Sequence, residues 1–81
     1  MRIKLLFFAR LKEIFGESCR VMEVSKGCSI REAVEKLIGE SGLAELREMP
    51  LVFAVNENFE DDTKILTEQD YLALMTPMAG G

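Results

Sequence analysis

Residues 29–41 read "SIREAVEKLIGES" and carry the strongest secondary-structure signal in the chain. Ser29 is a favourable N-cap, and Glu32 follows it by three residues, which is the arrangement of a capping box. Apolar residues then recur at spacings of three and four, as they do on the buried side of a helix. The members of this stripe are Ile30, Ala33, Val34, Leu37 and Ile38. The pattern predicts a helix that lies on a sheet and ends at Gly39 and Gly42.

A buried strand is predicted at the start of the chain. Residues 2–9, "RIKLLFFA", alternate at first and then become continuously apolar, as a strand in the middle of a sheet does. Successive side chains of a strand point to opposite faces of the sheet. If Phe7 faces the core, Leu6 and Phe8 must therefore face the other side.

A short helical turn and a second strand are predicted next. The turn is "LKEIFG" at residues 11–16, where Gly16 can end it by adopting a left-handed conformation. The strand is "CRVMEV" at residues 19–24, whose alternation places Cys19 on one face and Met22 on the other.

The C-terminal half contains the remaining strand signals. An irregular connection over residues 43–50 leads to a buried strand at 51–55. Residues 56–58, "NEN", indicate a tight hairpin that leads to Phe59, because asparagine tolerates positive φ. A final strand is predicted at residues 71–75, "YLALM". The order of elements predicts an α+β fold, a mixed sheet of four to five strands with one main helix packed on one face.

Size and hydropathy favour a small protein of the cytoplasm. The chain has 81 residues, which fits one domain with a modest core and leaves little room for a deep active-site pocket. The longest apolar run, Leu5 to Ala9, is far below the roughly 20 residues that cross a bilayer. We therefore expect no association with a membrane.

Residue types argue against an autonomous active site. The chain has no histidine, so neither a Ser-His-Asp nor a Cys-His arrangement can form. Cys19 and Cys28 are not a C-x-x-C pair, and too few ligands exist for a tetrahedral zinc site. Both cysteines are expected to be unpaired packing residues, because disulfides are rare in the cytosol.

Charge is divided unevenly along the chain, whose net charge is −4. Residues 1–47 contain nine Lys and Arg against seven acids, whereas residues 48–81 contain Lys64 alone against seven acids. The acidic half would repel a phosphate backbone, so nucleic acid is not an expected partner. It would attract a basic protein surface, unless these acids only solvate one face.

The chain ends on "PMAGG", residues 77–81. Pro77 has no N–H for a sheet ladder, so a domain over residues 1–76 should give way here to a flexible tail over 77–81. Five extended residues reach at most roughly 17 Å, which suffices to enter a cleft in another protein. Two glycines make the thinnest possible backbone, and the carboxylate of Gly81 could react only after conversion to an acylating form such as an acyl-adenylate.

Together, several segments resemble the small subunit of molybdopterin synthase, a sulfur carrier with the ubiquitin-like β-grasp fold. They are "LFFARLKEIFG", the capped helix, "AVNENF" and "LTEQDYLALMTPMAGG". The resemblance implies that a ubiquitin-activating-type adenylyltransferase uses ATP to adenylate Gly81, which then becomes a thiocarboxylate. It further implies that the large synthase subunit takes up the tail, and that the sulfur passes to a cyclic pyranopterin monophosphate on the route to a molybdenum or tungsten cofactor. No permanently bound cofactor is implied.

The same resemblance implies a docking surface. It consists of Phe8, Phe59 and Met75, with Pro77, Met78, Ala79, Gly80 and Gly81 as the inserted arm. An exposed Phe8 is consistent with this, since exposed apolar patches usually mark contact sites. The rival interpretation is that these side chains complete a small core.

The sequence departs from the family pattern at two points. Gln69 stands where the family commonly has glycine before Asp70, and Thr76 stands where it commonly has the first of two prolines. Two other functions remain open. One is a protein modifier joined through Gly81 to lysines of target proteins, and the other is a sulfur carrier for thiamine, cysteine or tRNA.

Overall fold

A computed structural model describes residues 1–77, which form five strands, two α helices and a short 3₁₀ helix. The elements are β1 (Arg2–Phe7), α1 (Arg10–Phe15), β2 (Cys19–Glu23), α2 (Ile30–Ser41), the 3₁₀ helix (Ala44–Glu48), β3 (Val52–Val55), β4 (Asn58–Glu60) and β5 (Tyr71–Met75). Met78, Ala79, Gly80 and Gly81 lie outside the described residues, and so does most of the predicted tail. None of the helices within residues 1–77 has the length and apolar character that a membrane crossing requires.

The five strands form one mixed sheet in the order β2-β1-β5-β3-β4. The central pair, β1 and β5, is parallel, whereas every other neighbouring pair is antiparallel. The first and last strands of the chain thus lie side by side, with the two short strands β2 and β4 at the edges. This confirms the predicted α+β class and the mixed sheet.

Helix α2 begins and ends as its sequence predicts. The Ser29 hydroxyl accepts a hydrogen bond from the Glu32 backbone N–H (3.2 Å), and the Glu32 carboxylate accepts one from the Ser29 N–H (3.0 Å). Both halves of the capping box are therefore formed. Gly42 ends the helix with φ +70°, and its N–H donates to the carbonyl of Ile38 at 2.9 Å. Gly39 lies inside the helix rather than at its end.

The core lies between α2 and the inner face of the sheet. The stripe predicted on α2 is buried except for Val34, which is half-buried. Opposite it are alternate residues of the two central strands, namely Ile3, Leu5, Phe7, Leu72 and Leu74. Phe7 also stacks on Phe15 of α1, with ring centroids 4.3 Å apart, so α1 closes one end of the core.

Two expectations need correction. Residues 44–48 form a 3₁₀ helix within the connection that was expected to be irregular. Leu46 in this helix is buried against the core, and this contact favours the regular turn. Cys19 is exposed rather than packed, since it points to the outer face of an edge strand. Cys28 is buried as predicted, and both thiols are free.

Candidate functional site

The outer face of the sheet, opposite α2, carries a continuous row of apolar side chains. Strand pairing sets Leu6 of β1 beside Ala73 of β5, Ala73 beside Ala54 of β3, and Ala54 beside Phe59 of β4. Paired residues of neighbouring strands point to the same face. Residues that are far apart in sequence therefore form one transverse row across four strands.

This row is the middle of a groove of about 610 Å³, which we call the outer groove. Its lining residues are Leu6, Phe8, Ala54, Asn56, Glu57, Phe59, Tyr71, Ala73 and Met75. Two alanines form the floor because their side chains end at Cβ, whereas Phe8 and Phe59 are much taller and stand on either side. The result is a concave apolar surface of the kind that accepts side chains of another protein.

The structure brings together the three docking residues predicted within the described part of the sheet. Phe8 is 48% exposed and Phe59 is 76% exposed, so neither completes the core. Met75 is half-buried and lies at the end of the groove where β5 terminates. The rival interpretation of Phe8 and Phe59 as core residues is wrong.

Sequence reasoning placed Leu6 on the same face as Phe8 but missed five residues of the groove, namely Ala54, Asn56, Glu57, Tyr71 and Ala73. The three of these that lie in strands each alternate with a buried neighbour, so their outward direction was available from the sequence. The pairing of β5 between β1 and β3 was not available, and this pairing is what makes the two alanines one floor.

The β3–β4 turn forms the other end of the groove. Asn56 and Glu57 have φ values of +49° and +73°, as a two-residue hairpin turn requires. The Asn56 side chain donates to Asp70 Oδ1 at 2.9 Å, and its oxygen accepts from the backbone N–H of Tyr71 at 3.0 Å. One amide side chain thus ties the hairpin that carries Phe59 to the beginning of β5.

Asp70, which accepts the hydrogen bond from Asn56, is itself buried and held in place by further hydrogen bonds. Its side chain is 7% exposed and accepts hydrogen bonds from the backbone N–H of Thr67 (2.7 Å), the Thr67 hydroxyl (3.0 Å) and Asn56. Burial alone would raise the pKa of Asp70, but the hydrogen bonds from Thr67 and Asn56 outweigh burial, with help from the charge of Lys64. The net result is a pKa below the usual value for aspartate, so the carboxylate is ionised at neutral pH.

The chain leaves the sheet beside the groove. Because β1 and β5 are parallel, Phe8 and Met75 lie at the same end of the sheet, where the Phe8 N–H donates to the Leu74 carbonyl at 3.4 Å. Pro77 follows two residues after β5 and is exposed. The described chain therefore ends next to the apolar walls of the groove.

The backbone has an unusual conformation at Ala9, near the end of the groove formed by Phe8 and Met75. Ala9 directly follows Phe8 and has φ +48° and ψ −121°, a region that residues with a Cβ rarely adopt. It forms the sharp bend from β1 into α1. Strain of this kind persists only where neighbouring contacts hold it, here the burial of Leu11 and the stacking of Phe15 on Phe7.

Other reactive groups in the described chain do not form a second site. Residues 1–77 contain no cluster of three metal-ligating side chains. Burial, followed by the charge of Glu32, raises the pKa of the Cys28 thiol, which donates a hydrogen bond to the Ser29 carbonyl at 3.3 Å. Cys28 is therefore a protonated packing residue rather than a nucleophile.

Comparison with known proteins shows the family to which this chain is similar. A model of the ThiS family matches residues 5–81. A molybdopterin synthase sulfur carrier subunit of Arabidopsis thaliana is 30% identical over 82 residues, and the match covers all of this chain and 84% of that protein.

Solved structures share the fold. SAMP1, the small archaeal modifier protein 1 of Haloferax volcanii, matches with a TM-score of 0.85 at 21% identity, and each chain is covered completely. A chain in the complex of subunits 1 and 2 of the molybdopterin-converting factor from Helicobacter pylori matches with a TM-score of 0.71 at 23% identity, also over the full length of both chains. These likenesses confirm the predicted ubiquitin-like β-grasp fold.

Proposed function

This chain belongs to the ThiS family, and we propose that it is the sulfur carrier subunit of a molybdopterin synthase in the cytoplasm. In this role Gly81 is adenylated, converted to a thiocarboxylate and used to donate sulfur to a cyclic pyranopterin monophosphate. The chain acts as a protein-bound substrate and sulfur donor, and its partners supply the catalytic groups.

One observation carries the proposal. The strand that supplies the floor and one end of the outer groove, β5, leads directly into the Pro77–Gly81 segment. A partner that binds Phe8, Phe59 and Met75 is therefore held beside the start of the tail. Docking on the groove would raise the effective concentration of the terminus at a nearby cleft without any further contact.

The chemistry of the terminus explains why an ATP-dependent partner is needed. The Gly81 carboxylate is ionised at neutral pH and is a poor electrophile. In the activating step its oxygen bonds to the α-phosphorus of ATP and pyrophosphate leaves, which produces an acyl-adenylate. A sulfide-level nucleophile such as hydrosulfide then attacks the acyl carbon and AMP leaves, which gives the thiocarboxylate. In the transfer step the thiocarboxylate sulfur bonds to a carbon of the precursor while a carbon–oxygen bond of that carbon breaks. Water then attacks the acyl carbon and the acyl carbon–sulfur bond breaks, so the sulfur stays on the precursor and the carboxylate is restored.

Two partners must recognise the same end of this chain in turn. We assign the adenylyltransferase to the first encounter and the large synthase subunit to the second. Met75 suits such shared use, because methionine is flexible and adapts to differently shaped surfaces. The absence of histidine fits a chain that supplies no general base of its own.

Intact-mass measurement of the protein purified from its own cells tests the proposal. We expect a species in which sulfur replaces one terminal oxygen, and we expect purified large subunit with precursor to convert it back to the carboxylate form. A matched control carries one additional residue after Gly81. It should fold with unchanged thermal stability and yet show no sulfur-containing species.

Other results would assign a different function. High-mass conjugates that an isopeptidase removes, without the thiocarboxylate, would make the chain a protein modifier, in keeping with its structural likeness to SAMP1. A thiocarboxylate that the large subunit cannot discharge would make it a sulfur carrier of another pathway, such as that of thiamine, cysteine or tRNA. Either result contradicts the proposed role.

A further inference from the structure

The fold converts the uneven charge of the sequence into two oppositely charged flanks of the outer groove. Residues 1–24, which form β1, α1 and β2, contain five Lys and Arg against three Glu. Residues 51–64, which form β3, β4 and the loop after them, contain four acids against Lys64 alone. The sheet order places β5 between these two segments, so the apolar groove separates the basic flank from the acidic flank.

The basic flank consists of β1, whose Leu6 lines the groove, and of α1, which follows Phe8 and contributes no lining residue. Its cations are Arg2, Lys4, Arg10 and Lys12. Arg2 pairs with Glu23 at 3.1 Å, and the Lys4 ammonium lies 5.3 Å from the centre of the Tyr71 ring. Arg10 and Lys12 are exposed just after Phe8 and form no ion pair with any residue in 1–77.

The acidic flank is the edge formed by β4 and its two turns. Glu57 lines the groove, whereas Glu60 pairs with Phe53 and therefore points to the inner face of the sheet. Within the described chain the Glu57 carboxylate has no ion-pair partner, whereas Asp62 pairs with Arg31 at 3.0 Å. Each flank thus holds charges that its own protein leaves uncompensated.

The two flanks are far enough apart to act independently. Three strand spacings separate β1 from β4, which amounts to roughly 14 Å. The Debye length is about 8 Å at physiological ionic strength, so the flanks hardly neutralise each other across the groove. A partner surface in direct contact would experience each charge separately.

We propose that these two flanks orient the carrier on the large synthase subunit, an inference that rests on the proposed function. The docking site of that subunit would hold basic side chains against Glu57, acidic side chains against Arg10 and Lys12, and apolar side chains in the groove between them. An apolar groove alone permits more than one orientation. The charge polarity selects the single orientation in which the tail points into the cleft, because the reversed pose places like charges together.

Charge-reversal variants that preserve the net charge test this assignment. Glu57→Lys and Lys12→Glu each reverse the sign of one charge on one flank, and the double variant weakens the polarity from both sides while the net charge stays at that of the natural chain. Glu45→Lys on the 3₁₀ helix and Lys26→Glu in the loop before α2 make the same charge changes on exposed sites away from the groove. Affinity for the large subunit from the same organism is measured by calorimetry at about 0.05 M and about 0.5 M salt.

The expected pattern separates polarity from net charge. Each single charge reversal should weaken binding about tenfold at low salt, and the double variant about a hundredfold, since well-separated sites act additively. The differences in affinity between the variants and the natural chain should be smaller at high salt, because salt screens the charges. The two controls should bind within about twofold of the natural chain, and thermal unfolding should show that all variants are folded.

Several outcomes would overturn the inference. Normal binding by the double variant, or equal losses in the control variants, would mean that polarity does not orient the complex. Reduced activation by the adenylyltransferase with unchanged affinity for the large subunit would assign the flanks to the activating enzyme instead. If the natural chain acquires sulfur and discharges it while all variants bind normally, only this inference fails. If the natural chain neither acquires sulfur nor binds the large subunit, the proposed function fails.

Discussion

Phe7, the last residue of β1, and Phe8, which follows it, lie on opposite faces of the sheet and in different surroundings. Phe7 points inward, is 2% exposed and stacks on Phe15. Phe8 points outward, is 48% exposed and forms a wall of the outer groove. The same residue type therefore packs in the core at one position and forms an exposed apolar wall at the next.

The difference extends across the whole sheet. On the inner face, large aliphatic side chains of β1 and β5 meet the apolar stripe of α2 and fill the core. On the outer face, Ala54 and Ala73 stand where larger side chains would fill the groove. An inner substitution should thus change the free energy of unfolding, whereas an outer one should change binding at nearly constant stability.

The largest expected effect comes from changing the two phenylalanines separately. Phe7→Ala should lower the free energy of unfolding by about 3–5 kcal/mol, because it opens a cavity beside Phe15 and Leu74. Phe8→Ala should change it by less than about 1 kcal/mol. Denaturant unfolding measures both, and calorimetry with the large subunit should show at least about tenfold weaker binding for Phe8→Ala.

This pair of variants contains its own control, since each removes the same number of atoms and the two positions are adjacent in the chain. The comparison would be refuted if Phe8→Ala unfolded as easily as Phe7→Ala, because Phe8 would then belong to the core. Binding unchanged by Phe8→Ala would instead remove the outer groove from the docking surface.

Local patterns in the sequence predicted most of the fold. The capping box, the helical stripe and the alternation along β1 involve residues at most eight positions apart, so each pattern determines its own element. The opposite directions of Phe7 and Phe8 followed from alternation alone. The Gly16 helix end and the Asn56 hairpin turn followed from the left-handed conformation that each position requires.

The outer groove could be predicted only in part, because it depends on long-range pairing. Leu6 and Ala73 are neighbours only because β5 inserts between β1 and β3. Nothing near Ala73 in the sequence specifies this neighbour. Exposure of Cys19 was missed for a related reason, since an edge strand without a further neighbour leaves its outer side chains in solvent. Which strands pair depends on the whole sheet, whereas the secondary-structure propensity of a segment depends only on its own residues.

A second prediction concerns Asp70, whose carboxylate accepts hydrogen bonds from both Thr67 and Asn56 and so links the turn before β5 to the β3–β4 turn. Asp70→Asn should lower the free energy of unfolding by about 1.5–3 kcal/mol at neutral pH, because the charged acceptor of the Thr67 and Asn56 donors is lost. Asp62→Asn is the matched control, since it removes a carboxylate that pairs with Arg31 in solvent. It should cost about 0.5 kcal/mol.

The pH dependence gives an independent test of the same residue. The pKa of Asp70 is lower in the folded state than its ordinary value, so its contribution is complete above the unfolded pKa of about 3.9 and is lost as pH falls from there through the folded pKa. Denaturant unfolding from pH 7 to pH 3 should show the difference between the natural chain and Asp70→Asn shrinking below about pH 4. A constant difference over this range would show that the charge of Asp70 is not responsible.

The smallest effect is expected at Gln69, which has φ +66° in the turn before β5. The resembling family commonly has glycine here, and the left-handed backbone supplies the reason, because a Cβ is unfavourable in this conformation. Gln69→Gly should therefore raise the free energy of unfolding by about 0.5–1 kcal/mol, which corresponds to roughly 4 °C in the unfolding midpoint. The control is Lys26→Gly, because Lys26 is an exposed loop residue that does not have a positive φ. This substitution should lower the free energy of unfolding slightly.

Binding should not change in Gln69→Gly. The backbone N–H of residue 69 keeps its 2.7 Å hydrogen bond to the Arg2 carbonyl, so the shape of the outer groove and its affinity for the large subunit should stay the same. Equal destabilisation by both glycines would mean that the turn before β5 tolerates glutamine without strain.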